Sequence, residues 1–308
     1  MSDSRPPVPP LLAIPFGILA VSTASLFIRY AQAEAPSLVI AAGRLSIAAL
    51  VLSPLALTRH RAELNALSRR DWLLALLSGF FLAVHFATWI TSLEYTTVAS
   101  SVVLVSTSPL WVGLLAPLTI REPVSRGVLW GMVLALAGGT IVGLSDSCAF
   151  EAFHLSCPPL ETFLSGEAFL GDMLALAGAL AGAGYLLIGR RLREGMSLVA
   201  YVFLVYGVAA VVLVLFMLSA GHSLLGYSPR VYLWLVLLAL VPQLLGHSTF
   251  NWALRYLTAA YVSITLLGEP IGSAILAYIF LGEVPGALMV FGAILILVGI
   301  YVASQSQA

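Results

Sequence analysis

Ten apolar runs of about 20 residues, separated by short polar clusters, constrain this chain more than any other feature. A helix rises 1.5 Å per residue, so a run of that length is what crossing the roughly 30 Å hydrocarbon layer of a bilayer requires. Bounded by Pro, Gly and Arg clusters, the runs cover 11–31, 36–57, 71–92, 96–118, 127–144, 167–189, 197–218, 231–250, 258–280 and 286–303. Composition points the same way, with 60% hydrophobic and 9% charged residues against about 25% charged in an average soluble domain. The expected fold class is an all-α integral membrane protein whose main solvent is lipid. Residues 1–10 hold four prolines and read as a short disordered tail on the cytoplasmic side.

The 14 basic and 14 acidic residues cancel, and every basic residue is an arginine. A neutral chain has no electrostatic footprint for nucleic acid. The arginines are unevenly placed, and short Arg-rich loops stay cytoplasmic during insertion. With the amino terminus inside, Arg5, Arg59, Arg61, Arg69, Arg70, Arg121, Arg126, Arg190, Arg191, Arg193 and Arg255 share the cytoplasmic side, and only Arg29 and Arg230 lie opposite. Both termini are then cytoplasmic. The one long connection, 145–166, faces outward with Asp146, Glu151 and Glu161, and carries Cys148 and Cys157. An oxidising compartment permits a disulfide between those two cysteines, although spacing alone does not distinguish this from two free thiols.

The chain also repeats itself. Shifted by 161 residues, 93–144 aligns without a gap with 254–305, and Leu93, Tyr95, Thr97, Ala99, Pro109, Ala116, Glu122, Gly131 and Gly138 meet identical residues. Five spans per copy force the second copy to insert upside down, and the charges agree. Glu94 on the outside becomes Arg255 on the inside, while Arg121 and Arg126 become Gly282 and Ala287. The expected organisation is two inverted five-helix repeats, 11–144 and 167–304, around a central cavity. Such pairs place a substrate site at the repeat interface and work by alternating access.

Three features carry a resemblance to a known family: the intramembrane arginine in Ala42-Gly43-Arg44, the Leu93–Ala99 stretch leading to Pro109, and Gly268-Glu269-Pro270 followed by Leu281-Gly282-Glu283. The chain resembles the drug/metabolite transporter superfamily, specifically its ten-helix EamA-type exporters. His85 with Phe81 and Trp89 makes it similar to the YddG-type amino-acid exporters. The first span ends in Phe27-Ile28-Arg29, where many relatives carry a lysine. The resemblance implies a bacterial inner-membrane protein that exports amino acids, aromatic and other neutral ones, with no cofactor. It would work as a monomer or homodimer in the lipid bilayer.

Phe81, His85 and Trp89 recur every four residues, so they share one face of the third span, and an imidazole between rings suits an aromatic or amphipathic substrate. Thr88 beside them offers a hydroxyl. Gln243, His247 and Asn251 repeat that spacing in the eighth span and can face the same cavity or form an interhelical hydrogen-bond seam. Arg44 can hold a substrate carboxylate through two parallel bonds. Alternatively, lying about 12 Å from the span's outer end, it reaches water along its own stem. Glu269 is the acid deep within a span, and Pro270 behind it frees a backbone carbonyl, so proton coupling or gating is one reading and a structural role the other. Pro109 is the repeat equivalent of Pro270. Tyr261 is a ring within a span that lines the pathway or fills the bundle.

No GxxxxGK[ST] phosphate loop is present, so ATP hydrolysis by this chain is excluded as the energy source. A proton-coupled exporter of cationic drugs is a second reading, and Glu269 is the carboxylate it requires. A lipid-modifying membrane enzyme needs clustered nucleophile, base or metal ligands at one membrane face. His60, His154 and His222 lie on separate loops, and no H-E-x-x-H or G-x-S-x-G occurs.

Overall fold

The computed structural model describes residues 8–121, 125–145, 149–151, 154–156, 159, 161 and 164–305. The helices are α1 (Pro10–Ser22), α2 (Ala24–Gln32), α3 (Ser37–Arg59), α4 (Arg61–Asn65), α5 (Arg69–Tyr95), α6 (Val98–Val105), α7 (Ser108–Thr119) and α8 (Arg126–Ser145). After the long connection come α9 (Glu167–Arg193), α10 (Leu198–Ser219), α11 (Pro229–Leu238), a π-helical stretch Ala239–His247, α12 (Ser248–Ala253), α13 (Ala259–Thr265), α14 (Gly268–Leu281) and α15 (Ala287–Gln305). The all-α expectation needs one correction. Ala149–Glu151 (β1) and His154–Ser156 (β2) pair antiparallel in the connection, Phe150 opposite Leu155. Cys148 and Cys157, and with them any disulfide, lie outside the described residues.

Among the described residues, eight segments are long and apolar enough to cross a membrane: Leu12–Gln32, Ser37–Arg59, Arg69–Tyr95, Val98–Thr119, Glu167–Arg193, Leu198–Ser219, Pro229–Ala253 and Ala259–Leu281. Large apolar side chains such as Phe16, Leu50 and Leu118 point outward from them, which suits a hydrocarbon surround. The two other long helices, α8 and α15, pack against each other with backbones in close approach. A Cβ on Gly138 would stand 2.5 Å from the Gly292 carbonyl oxygen, and one on Gly292 2.7 Å from that of Gly138.

Several segments are not the continuous helices that apolar length alone suggests. The fourth apolar run breaks at Ser106–Thr107 and the ninth at Leu266–Leu267, positions related by the 161-residue shift within one residue. Both breaks precede a proline, Pro109 or Pro270, whose missing N–H cannot support the preceding turn. Each broken segment also ends in a left-handed residue at the shifted position, Arg121 with φ 59° and Gly282 with φ 71°.

Successive segments run antiparallel, so their ends gather into two clusters. At one end Arg29 on α2 meets Glu283 at 3.3 Å and donates to the carbonyls of Leu93 and Thr96, while Glu283 accepts from the Val98 amide at 2.9 Å. At the other end Glu63 on α4 accepts from Ser197, the N-cap of α10, through its amide and hydroxyl, both at 2.6 Å. Burial pushes the Glu63 carboxyl up, but hydrogen bonds from Ser197 and His60 outweigh it and hold the group below its ordinary value.

Candidate functional site

The centre of the bundle is built where α5 lies against α9. Residues four apart on a helix face one way, so Phe81, His85 and Trp89 all turn toward α9, which presents glycines there. A Cβ on Gly184 would sit 3.1 Å from the Phe81 ring, one on Gly182 3.0 Å from His85 Nδ1, and one on Gly178 3.1 Å from the Thr88 hydroxyl. The glycines let the two helices close around the rings. His85 Nδ1 donates to the Gly178 carbonyl at 2.8 Å, which leaves Nε2 as an acceptor in the neutral ring. The imidazole stacks on Trp89 with centroids 5.9 Å apart and planes 25° apart. Thr88 donates its hydroxyl to Val84 of its own helix at 2.9 Å.

Both parts of the chain contribute to one internal cavity of about 50 Å³. His85, Trp89, Ser108 and Pro109 line it from the first part, and His247, Ser263 and Glu269 from the second. Ser108 and Ser263 escape sequence reasoning, because a serine in an apolar run carries no spacing signal. Ser108 follows the break between α6 and α7 and donates to the Ala179 carbonyl at 3.0 Å, fixing α7 to α9. The cavity is far below the roughly 300–1,000 Å³ of ordinary ligand pockets and in this conformation has room for a few waters.

Arg44 is fully buried, so its stem does not carry the charge to water. Its Nε donates to Gln243 Oε1 at 2.8 Å, and its guanidinium carbon lies 4.1 Å from the centre of the Phe86 ring. That ring meets His85 edge-on at 4.8 Å and His247 at 5.3 Å, so Phe86 stands between Arg44 and the two histidines. Phe86 was not singled out by the sequence, since it lies off the four-residue stripe that marks its neighbours. Among the described residues, four buried donors here have no acceptor: Nη1 and Nη2 of Arg44, Nε2 of Gln243 and Nε1 of Trp89. A buried donor without an acceptor costs about 1–3 kcal/mol, and a charged one more.

Gln243 and His247 reach this place from the π-helical stretch, where Pro242 interrupts the ordinary hydrogen-bond ladder. Asn251, one turn further, belongs to a seam. It accepts from the Tyr185 hydroxyl at 2.6 Å and donates to the Tyr206 oxygen at 3.1 Å. Tyr261 lies in the first turn of α13, its amide on the Thr258 hydroxyl, and does not line the cavity. Pro270 faces an apolar groove of about 380 Å³ between α14 and α15.

A larger cavity of about 690 Å³ opens at the end that holds Arg70, Arg121, Arg190 and Arg191. Its inner wall includes Phe81 and Gly184. Their contact separates it from His85, one helical turn deeper.

The EamA-like transporter family model matches residues 10–144 and again 169–305. The chain is 24% identical over 246 residues to an uncharacterized transporter of Archaeoglobus fulgidus, covering 78% of each protein. It is 23% identical over 221 residues to the uncharacterized transporter YyaM of Bacillus subtilis, covering 71% of this chain and 68% of that one. A protein of known crystal structure shares the fold with a TM-score of 0.68 at 18% identity, over 97% of each chain. With the family model matched over both stretches, the chain belongs to the EamA-like transporter family and is a multi-pass membrane transporter rather than an enzyme.

Proposed function

We propose that this protein exports amino acids, aromatic and other neutral ones, and related small metabolites across a bacterial inner membrane by alternating access. It does so with ten spans in two inverted five-helix units, 11–144 and 167–304, and with both termini in the cytoplasm. The observation that carries the reading is the cavity to which each unit brings a histidine, His85 and His247, with Trp89 Nε1 on its wall and the Arg44 and Gln243 donors behind the Phe86 ring, all without an acceptor. A donor-rich interior favours a ligand with an acceptor group, and a carboxylate answers a guanidinium through two parallel bonds. Trp89 and, packed against it, Phe86 supply rings for an apolar side chain. The paired helix breaks before Pro109 and Pro270 support inverted units, as does the twofold match of the family model.

Export of cationic drugs is the second reading, favoured by the Glu269 carboxyl on the cavity wall. Counterflow in liposomes holding only this protein separates the two. Labelled tryptophan, phenylalanine and leucine are expected to exchange and a cationic dye is not; dye flux without amino-acid flux would transfer the assignment to drug export.

A further inference from the structure

The 690 Å³ cavity at the Arg-rich end has the size of a ligand pocket, whereas the central cavity in this conformation does not. Its walls are apolar, with Leu77 on α5, Leu115 on α7 and Leu187 on α9, and its rim is basic. Of the four rim arginines, Arg191 is paired with Glu194 at 2.9 Å, and Arg190 donates to the Leu254 carbonyl. Arg70 and Arg121 have no ion pair among the described residues. Glu122 follows Arg121 in sequence and lies outside the described residues, and Asp71 follows Arg70 and caps α5 through Ser68; with both counted against the rim, one positive charge remains.

Insertion topology explains why arginines collect at this end, but not why four of them line one cavity while Arg59, Arg61 and Arg255 do not. A second observation singles out Arg121. It caps its broken segment in the left-handed conformation, φ 59°, which an L side chain with a Cβ resists. At the shifted position the second unit solves the same turn with Gly282. The first unit therefore holds an arginine where glycine serves the backbone better, and the side chain it gains lines the cavity.

We propose that this cavity is a loading site for amphipathic organic anions, in which Arg70 and Arg121 hold a carboxylate while the apolar walls and the Phe81 ring receive the body. The proposal rests on the transport reading above and narrows its substrate class to solutes that bear a carboxylate. Cations are repelled at the rim before they reach Glu269. Phe81, seated on Gly184, is the partition such a solute passes next. An anionic lipid headgroup with its chain along the same walls has the same chemistry, so both sources enter the test.

The test is equilibrium binding to the full-length protein in phosphatidylcholine nanodiscs, using radiolabelled indole-3-acetate, indole and tryptamine. Indole-3-acetate is expected to bind at least about tenfold more tightly than indole or tryptamine at low salt, with the preference shrinking as salt rises. Arg70→Gln and Arg121→Gly should each weaken it about three- to tenfold. Arg121→Gly relieves the backbone, so its fold should persist, and unchanged tryptophan fluorescence and melting confirm that. Nanodiscs containing phosphatidylglycerol distinguish the source: displacement of indole-3-acetate there keeps the anion site and assigns it to lipid. Equal affinity for indole and indole-3-acetate, or binding untouched by Arg121→Gly, overturns the site. Because binding is read without flux, absent amino-acid counterflow with Arg121-dependent indole-3-acetate binding would strike the transport reading alone.

Discussion

Arg29 and Arg190 make the same hydrogen bond at opposite ends of the bundle: each donates Nη1 to the carbonyl of a leucine 64 residues later, Leu93 or Leu254. The two arginines and the two leucines are each related by the 161-residue shift. An interaction duplicated in this way is what the proposed inverted units and alternating access would require of the two ends. Here the Arg29 end holds the ion pair to Glu283, and the Arg190 end carries the 690 Å³ cavity.

If the Arg29–Glu283 bridge opens in every cycle, tethering it stops transport. Arg29→Cys/Glu283→Cys, with Cys148 and Cys157 replaced by serine and joined by a short reducible bis-thiosulfonate, should lose at least about tenfold in counterflow and regain it on reduction. Undiminished flux in tethered protein would mean that this end does not move.

The glycine seam makes a local prediction. Gly182→Ala places a methyl 3.0 Å from His85 Nδ1 and should push the ring off the Gly178 carbonyl, leaving a buried donor without its acceptor. A stability loss of about 1–3 kcal/mol is expected, read as a lowered melting temperature, with counterflow reduced alongside it. Gly207→Ala meets nothing within 4 Å on α10 and should leave transport intact and raise the melting temperature slightly.

Arg44 separates charge from fold. Replacing a buried ion and its partner by apolar residues of similar volume is often neutral, so Arg44→Met/Gln243→Leu should keep its melting temperature within a few degrees while amino-acid flux falls about a hundredfold or more. Arg44→Lys should not restore flux, because an ammonium cannot present two parallel N–H groups. Recovery by lysine would place the carboxylate elsewhere.

Glu63 gives stability a pH dependence at the end of the bundle that holds Ser197. Its folded carboxyl lies below the ordinary value of 4.5, so its contribution is complete above that value and disappears as pH falls through the lower, folded one. Melting curves of detergent-purified protein should show a decline in that acid window, and Glu63→Gln should flatten it while costing about 1–2 kcal/mol at neutral pH. An unchanged acid limb would assign the decline to other carboxyls.

Apolar length made the crossing segments legible, because burying twenty residues in lipid depends on composition summed over a window. Identical residues in register pointed to a repeat, and the family model matches the chain twice. Contacts were less so. The spacing of Phe81, His85 and Trp89 gave one face of α5 without revealing that Gly178, Gly182 and Gly184 receive it, since GxxxG spacing says only that helices approach. Arg44 read as a ligand for a carboxylate, as the partner of a neighbouring acid or, with a strong claim, as a stem reaching water. Its depth depends on α10 and α11 packing over α3, and no local pattern encodes that.

The π-helical stretch holds one residue more per turn than its neighbours, and Pro242 keeps it there. Chain length, rather than side-chain identity, therefore decides which residues of this segment face inward. Rewinding the stretch as an ordinary helix at constant length would turn everything beyond it, swinging His247 from Phe86 and Asn251 from both tyrosines, whereas deleting Leu244 along with the extra winding would largely cancel that turn. A segment with two such windings can exchange the face it shows the cavity by rotating about its own axis while its ends stay in place.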